Sequence, residues 1–470
     1  YAEGYGVSFL GIDRAAEQGV GLIITLDCGI KAGDKVAYAA ERGIDMIICD
    51  HHLPGPELPE AVAVLDPKRP DCTYPFKELS GCGVGFKLIQ ALAQHNGMGF
   101  GDIEQQLDLV AVSTACDIVP INGENRILAH FGLKQLNEGV VRPGIKAMLG
   151  MSNFDRKLTV TDLVFVLGPR INAAGRIEHG QQAVELLLSH DANEAQNIGL
   201  RIDRNNAQRQ DLDKETTRQA LEQIELDEVL RDAWSTVVFN KDWHKGVIGI
   251  VASRLIETHY RPTVVLTESN GKASGSARSV KGFDVHEAIS ACSDLLDQFG
   301  GHMYAAGLTM PLENVEAFRQ RFEKVVRERL DGSMRSPEED VDLEIDLRRI
   351  DERFVRTVQH MAPFGPHNMR PMFLTRGVVD AGWARIVGED HLKLTLQHPG
   401  EARKRFDAIA FRQGHHLEMV KSGEPFSVIY VVEENEWQGR RTLQLNIKDI
   451  KPGVEQLLAN EPMASSVAVR

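Results

Sequence analysis

Paired cysteines, an initiator methionine, long apolar runs and an excess of positive charge are all missing from this chain of 470 residues. None of its six cysteines (Cys28, Cys49, Cys72, Cys82, Cys116 and Cys292) belongs to a C-x-x-C pair. That spacing argues against a zinc site or a disulfide framework and fits a reducing, cytoplasmic setting. Cys28, Cys49 and Cys116 adjoin apolar runs and read as small buried hydrophobes. No apolar run is long enough to span a bilayer. Tyr1-Ala-Glu-Gly-Tyr5 has neither the basic start nor the apolar stretch of a signal peptide, and its lack of Met leads us to expect a piece of a longer protein. A formal net charge of −14 excludes a general nucleic-acid-coating protein. It leaves room for an enzyme that grips a strand in one local groove, and clustered acids are what a hard-metal site requires. The first third carries no G-x-G-x-x-G after a strand, so a dinucleotide-binding dehydrogenase fits poorly.

What is present reads as α/β followed by β. Residues 21–27, 45–50 and 61–66 are short apolar runs that read as buried strands, and 31–42, 83–94 and 103–116 read as helices. This spacing predicts a parallel sheet with helices on its faces. Gly168-Pro-Arg-Ile-Asn-Ala-Ala-Gly-Arg176 is rich in breakers and reads as a hinge. The polar stretch from about 193 to 225 reads as a long, mostly exposed linker helix whose charges form a solvated face. A second α/β unit follows, with strands at 235–239 and 262–266 and helices at 245–257 and from 315 to 329. Beyond Pro371, strand-like runs at 373–386, 391–397, 406–411, 426–433 and 443–450 with almost no helix predict an OB-like β-barrel. The expected domains are 1–180, a linker helix 181–230, a second α/β domain 231–330, the barrel domain 340–455 and a tail 456–470.

Acids and histidines gather at the ends of these elements. Asp27 ends the first strand, Asp50-His51-His52 ends the second, and Asp117 follows the helix 103–116. The carboxyl ends of neighbouring parallel strands share one edge, where ligands bind. Taken singly, Asp27 and Asp117 read as caps. Three titratable residues in a row after Met-Ile-Ile-Cys49 are different, because they cost stability unless they have partners. Carboxylate oxygens and imidazole together suit Mn²⁺ or Mg²⁺, with imidazole favouring Mn²⁺.

Further along, Gly300-Gly301-His302 offers paired glycines whose N–H groups would turn towards an anion, beside an imidazole. Ser276 and Arg278 lie two apart on an extended segment and so face the same way, and Arg clamps phosphate bidentately. Trp243-His244-Lys245-Gly246 opens a helix and would favour an anion, and Arg170 and Arg176 lie at the hinge. The barrel segment interleaves Trp383, Phe406, Phe411 and Trp437 with Arg385, Lys393, Arg403, Lys404, Arg405 and Arg412, as base-stacking surfaces do. Most of these aromatics read as core, with one or two left as platforms.

Several of these motifs carry a resemblance. Asp50-His51-His52 resembles the signature of the DHH phosphoesterase superfamily, Thr25-Leu-Asp-Cys-Gly29 its second motif and Ala115-Cys-Asp-Ile-Val-Pro120 its fourth. Tyr1-Ala-Glu-Gly-Tyr-Gly6, Leu79-Ser-Gly-Cys-Gly-Val-Gly85 and Pro363-Phe-Gly-Pro366 resemble the RecJ family within it, and Gly300-Gly301-His302 resembles the Gly-Gly-His motif of the accompanying DHHA1 domain. The resemblance implies that Asp27 bridges two metal ions, that His51 and Asp117 are ligands, that Asp50 orients its neighbours and that His52 faces the scissile phosphate. It places Ser276 and Arg278 on the nucleotide's phosphates and extends to His244. It implies a Mn²⁺- or Mg²⁺-dependent 5′-3′ exonuclease on single-stranded DNA, acting in repair and recombination as a monomer, with single-strand-binding protein and a helicase as partners. The family's first motif, Asp-x-Asp on an earlier strand, has no counterpart after Tyr1, since Asp13 lies in a helical stretch. The chain alone is therefore expected to bind metal weakly and to risk inactivity. The alternatives are a DHH phosphodiesterase or pyrophosphatase acting on small substrates, or an inactive DNA-binding fragment.

Overall fold

The computed structural model describes residues 6–139, 141–152, 154, 156–177, 180–401, 403–437 and 440–453. Two compact units partition the chain. One comprises 1–140, 155–163 and 340–470, and the other 141–154 and 164–339.

The first unit begins with the parallel sheet the apolar runs predict. Strands β1 (Leu22–Leu26), β2 (Asp45–Cys49) and β3 (Ala63–Leu65) lie side by side in that order. Alternation along β2 feeds two cores. Met46 and Ile48 pack with Ile12, Val36 and Ala39 of helices Phe9–Glu17 and Gly33–Glu41. Cys49, with Ile47 packed alongside, faces Val84, Phe86, Leu107 and Val110 of helices Gly81–His95 and Leu107–Cys116. Both faces are therefore covered, as a parallel sheet requires. Asp13 sits in the first helix, where it accepts hydrogen bonds from the Tyr38 hydroxyl and Arg42 Nε, both at 2.8 Å. It is a surface network residue.

The second unit holds a mixed sheet in the order β4 (Thr236–Phe239), β5 (Thr263–Ser269), β6 (Lys272–Arg278), β8 (Ala305–Pro311) and β7 (Gln298–His302). Helices Val285–Ser290 and Val315–Arg329 pack one face through Val285, Phe318 and Phe322. The other face takes helix Ile248–Thr258 and the end of the long helix Ala192–Leu226. One expectation is corrected here and a second refined. The breaker-rich hinge is helical, with a π-helical turn at Leu163–Leu167 followed by helix Gly168–Ile177. Pro169, which has no N–H to give, falls where the winding changes. The long helix, read as mostly exposed, buries one stripe at helical spacing: Ala195, Ile198, Ile202, Asn205, Asp213, Thr216, Ala220 and Ile224. Composition hid it, because three of those eight residues are polar. Asp213 is buried and pairs with Arg254 Nη2 at 2.8 Å.

The C-terminal part returns to the first unit. Here β9 (Leu343–Glu344), β10 (Met372–Asp380), β11 (Arg385–Val387), β12 (His391–Gln397), β13 (Phe406–Ala410), β14 (Phe426–Trp437) and β15 (Arg440–Pro452) form one sheet in the order β11-β12-β13-β15-β14-β10-β9. β10 also pairs with β12 at Val379↔Gln397 and Asp380↔Leu396. The fully buried Tyr430 and Phe426 fill its centre, with helix Glu352–Gln359 packed alongside through Val358. The expected run 373–386 is two strands, because Asp380 Oδ2 accepts from the N–H groups of Gly382, Trp383 and Ala384 and turns the chain. The expected tail lies outside the described residues.

Asp213 relies on Arg254 to balance its buried charge. Arg254→Met is expected to destabilise the second unit by about 2–3 kcal/mol, because it leaves a buried carboxylate without its counter-ion. Urea denaturation would show a midpoint unchanged from wild type if the pair is incidental.

Candidate metal centre and strand-binding surfaces

Register builds the candidate metal centre. Leu26 pairs with Cys49, and Cys49 with Leu65, so Asp27, Asp50 and Asp66 are each the first residue beyond their strand, on one edge. Asp27 N–H donates to Cys49 O at 2.9 Å, and Asp50 N–H to Leu65 O at 3.0 Å. Asp27 has φ +67°, a left-handed conformation that swings its side chain away from the strand path. Helix Gly81–His95 starts against it. A Cβ on Gly81 would lie 2.4 Å from both the Cβ and the Oδ1 of Asp27, so glycine is the residue that lets the carboxylate in.

Asp50 is the organiser. Its carboxylate is 1% exposed. Oδ2 accepts from Ile30 N–H at 2.9 Å, and Oδ1 accepts from the N–H groups of His51 at 2.7 Å and His52 at 3.2 Å. His52 Nδ1 lies 2.7 Å from the same Oδ1. Burial pushes the Asp50 carboxyl up, but these hydrogen bonds outweigh it and hold the group below its ordinary value. His52, whose side chain is 55% exposed, is thereby held through Nδ1, which leaves Nε2 on the side of the ring turned away from Asp50.

His51 is buried. Its Nε2 lies 3.0 Å from Asp27 Oδ1 and 3.3 Å from Asp117 Oδ2. His51 Nε2 and Asp27 Oδ1 are both buried, and neither is in hydrogen-bond geometry with any partner among the described residues. Two donors that close with no proton properly shared fit a cation between them. Adjacent ligands each about 2.1 Å from one ion stand about 3.0 Å apart. Asp27, His51 and His52 each bring one donor atom within 4.8 Å of the others. Burial disfavours the His51 imidazolium, but Asp27 and Asp117 outweigh it and raise its pKa above the ordinary 6.5. Burial likewise raises the Asp117 carboxyl, only partly offset by His51.

Sequence reasoning missed Asp66. It is buried, its Oδ1 accepts from Lys68 N–H at 2.8 Å, and Oδ2 has no partner among the described residues. Burial raises its pKa, and Asp50 adds to the rise. The signal was available: Asp66 ends the third strand as Asp27 and Asp50 end the first two.

The second unit carries the phosphate-facing candidates in three cross-strand rows. Arg278, Ala305 and His302 share one row, Ser276, Gly307 and Gly300 the next, and Ser274, Thr309 and Gln298 the third. Directly opposed residues point to the same face of a sheet, so Ser276, Arg278 and His302 are neighbours, as their spacing suggested. Arg278 Nη1 donates to Ser276 Oγ at 3.0 Å. The nest expected at Gly300-Gly301 is corrected: both glycines lie in β7 and pair with β8. Gly301, at φ +147°, is needed because a Cβ there would meet Ala305 O at 2.3 Å. Gly300 leaves its face open and forms, with Gly307, Lys245, Gln298 and Thr309, part of the lining of a cleft of about 420 Å³.

The remaining basic candidates are placed differently. The helix expected from Lys245 begins at Ile248, so His244 lies in the preceding turn, its Nδ1 accepting from Gly246 N–H at 3.0 Å. Arg170 donates to Asp203 at 3.0 Å and to Val166 O at 2.8 Å, which makes it chiefly a local tie. The side chains of Arg176 and Trp437 lie outside the described ones. On the C-terminal sheet, Phe406 is core, whereas Trp383 and Phe411 are 61% and 50% exposed. Trp383 precedes β11, whose Arg385 stands opposite Lys393, and Phe411 follows β13 and meets the His391 ring edge-on at 5.2 Å.

Carboxylate and imidazole donors on the carboxyl edge of a parallel sheet, on the same chain as a sheet that groups Ser276, Arg278 and His302, form the donor set that suits a divalent cation and phosphate groups. Comparison with known proteins narrows the reading. Residues 7–114 match the DHH family, N-terminal domain, 233–328 the DHHA1 domain, and 341–449 the RecJ OB domain. The chain is 38% identical to the single-stranded-DNA-specific exonuclease RecJ of Bacillus subtilis over 96% of its own length and 56% of that protein's. It is 35% identical to the RecJ of Salmonella typhimurium, over 96% of its length and 81% of that relative's. The crystal structure of Thermus thermophilus RecJ in complex with Mn²⁺ superposes with a TM-score of 0.79 at 29% identity, covering 94% of this chain and 63% of that one. A manganese-bound exonuclease RecJ structure gives a TM-score of 0.59 at 34% identity, covering 71% and 82%. The chain belongs to the RecJ family.

A cation can take His51 Nε2 only when that nitrogen is unprotonated, and the raised pKa keeps it protonated to higher pH. Mn²⁺ affinity is therefore expected to fall as pH drops through the raised His51 value, and Asp117→Asn is expected to move that fall to lower pH. Calorimetric titration with Mn²⁺ at several pH values checks this; a flat profile would rule out His51 as a ligand. In metal-free protein the His51 contribution to stability runs oppositely, being complete below pH 6.5 and lost as pH rises through the raised value. Asp50 contributes above the ordinary carboxylate range, and its share is lost on acidification through its lowered value. Gly81→Ala is expected to weaken Mn²⁺ binding on the order of 10-fold by displacing Asp27.

Proposed function

We propose that this chain carries the catalytic and strand-binding parts of a Mn²⁺- or Mg²⁺-dependent exonuclease that removes 5′-mononucleotides from single-stranded DNA. The observation that carries the reading is the convergence of His51 Nε2 on Asp27 and Asp117 without hydrogen-bond geometry, on a chain with the RecJ domain order. The chain spans 56% of the Bacillus relative and 81% of the Salmonella relative, and the single-stranded-DNA-specific exonuclease activity for which both are named supports the assignment.

Each residue has a task. Asp27, His51 and Asp117 would hold the cation, and when bound that charge would offset the phosphodiester's and make water a better nucleophile at neutral pH. Asp50 fixes the backbone of both histidines and orients His52 towards the scissile phosphate. Ser276, Arg278 and His302 receive phosphate oxygens, with the glycine floor of the adjoining cleft leaving room for a sugar and base. Holding the 5′ phosphate there sets polarity. Trp383 and Phe411 stack bases, while Arg385 and Lys393 follow the backbone. No helix among the described residues is long and apolar enough to cross a membrane. This reading places the protein in the cytoplasm as a monomer in DNA repair and recombination, with single-strand-binding protein and a helicase as partners.

The test is release of labelled mononucleotide from 5′-labelled single-stranded DNA by the full-length protein with Mn²⁺. His51→Ala should abolish it. Hydrolysis of pyrophosphate or dinucleotides with DNA left intact would replace this reading with the small-substrate one. Trp383→Ala should weaken single-strand binding by about 1–3 kcal/mol, read by fluorescence anisotropy.

A further inference from the structure

Asp117 is the one candidate ligand that does not sit at the end of a β-strand. It caps helix Leu107–Cys116, its N–H donating to Ser113 O at 2.9 Å. The next residue, Ile118, has φ +58° and is largely exposed. A β-branched residue is costly in that conformation and persists only where its surroundings over-determine it. The helix therefore explains where Asp117 starts, and something beyond it must hold the loop that follows.

Two sets of contacts do so. Asn125, fully buried, donates from Nδ2 to Pro120 O at 3.0 Å. The other set comes from the segment 361–368, at the start of the C-terminal domain. Ile121 N–H donates to Pro366 O at 2.7 Å. Gly365 lies so close that a Cβ there would stand 2.5 Å from Ile121 Cγ1. Arg126 Nη2 lies 3.1, 2.9 and 3.2 Å from the carbonyl oxygens of His360, Met361 and Ala362. Asn368 Nδ2 in turn donates to Met361 O at 3.0 Å and Pro363 O at 2.8 Å, so the segment is itself braced. Ile121 is fully buried beneath it.

We propose that the segment 361–368 and Arg126 are positioning elements of the metal centre: the C-terminal domain clamps the loop 117–121 and thereby holds the Asp117 carboxylate within reach of His51. This rests on the reading of Asp117 as a ligand. The C-terminal domain then does more than bind the strand. It completes the frame of the catalytic site from more than 230 residues away in sequence, as the separation of 234 between Arg126 and His360 shows.

The experiment measures Mn²⁺ affinity by electron paramagnetic resonance in the full-length protein for Arg126→Met, Arg126→Lys, Gly365→Ala and Asp117→Asn. Tyr430→Phe serves as a stability control, since it keeps the aromatic ring in the core of the C-terminal sheet and removes only the hydroxyl that lies 2.9 Å from Thr375 Oγ1. Thermal midpoints are recorded for all. Arg126→Met and Gly365→Ala should each weaken Mn²⁺ binding on the order of 10-fold at temperatures where the protein is folded. Arg126→Lys should recover part of the loss, and Tyr430→Phe should leave affinity unchanged. In turnover on single-stranded DNA at subsaturating metal, the loss should fall on kcat with KM preserved, and added Mn²⁺ should restore it. If Asp117→Asn weakens Mn²⁺ binding while Arg126→Met and Gly365→Ala alter only the thermal midpoint, the clamp is merely structural and this inference is overturned. If Asp117→Asn itself leaves affinity unchanged, the ligand assignment fails and this inference with it.

Discussion

A single buried carboxylate organises the metal centre. Asp50 sits in the protein interior, where an unpaired charge would be prohibitive, and it is tolerated because hydrogen bonds from Ile30, His51 and His52 surround it. Those bonds fix the backbone just past β2, place the His51 ring between Asp27 and Asp117, and turn His52 outward. The carboxylate that does most for the site is thus the one least able to reach a ligand. A charge so completely satisfied can be retained only for what it positions.

The remaining geometry follows from chain register and close approach. Parallel pairing of β1, β2 and β3 brings three aspartates to one edge, and the missing Cβ of Gly81 lets a helix start against Asp27. In the second unit, antiparallel pairing stacks Arg278, Ser276 and Ser274 into rows with His302, Gly300 and Gln298, so residues distant in sequence share a face. The strain at Asp27 and Ile118 falls on either side of His51. Backbone conformations that cost energy are stored where ligand geometry is set.

The role of the C-terminal domain follows from the same logic. Its sheet presents exposed Trp383 and Phe411 beside basic residues, which suits a single strand. The segment 361–368, by contrast, packs on the loop that carries Asp117 through Pro366 O and Gly365. The sheet that presents Trp383 and Phe411, the segment that braces the Asp117 loop and the candidate metal centre thus belong to one compact unit.

Much of this was legible in the sequence. Strand ends marked by Asp27 and Asp50-His51-His52, a helix end marked by Asp117, the two-residue spacing of Ser276 and Arg278, and the change to short strands beyond Pro371 are local patterns, and these survive in a linear text because strands and helices each impose a short, fixed period. Asp66 was legible by its place at the end of the third strand, though no flanking histidines single it out. Other features were illegible for an equally definite reason. The buried face of the long helix is part polar, so its periodicity is not one of hydrophobicity. Gly300-Gly301 reads as an anion-binding nest until β8 is seen beside it. The hold of residues 361–368 on the Asp117 loop depends on distances between atoms far apart in the chain. By itself, the sequence determined which chemical groups were available and in what order the domains run. Tertiary structure alone decided which groups meet, because convergence is set by strand register and steric clearance that no short stretch of residues contains.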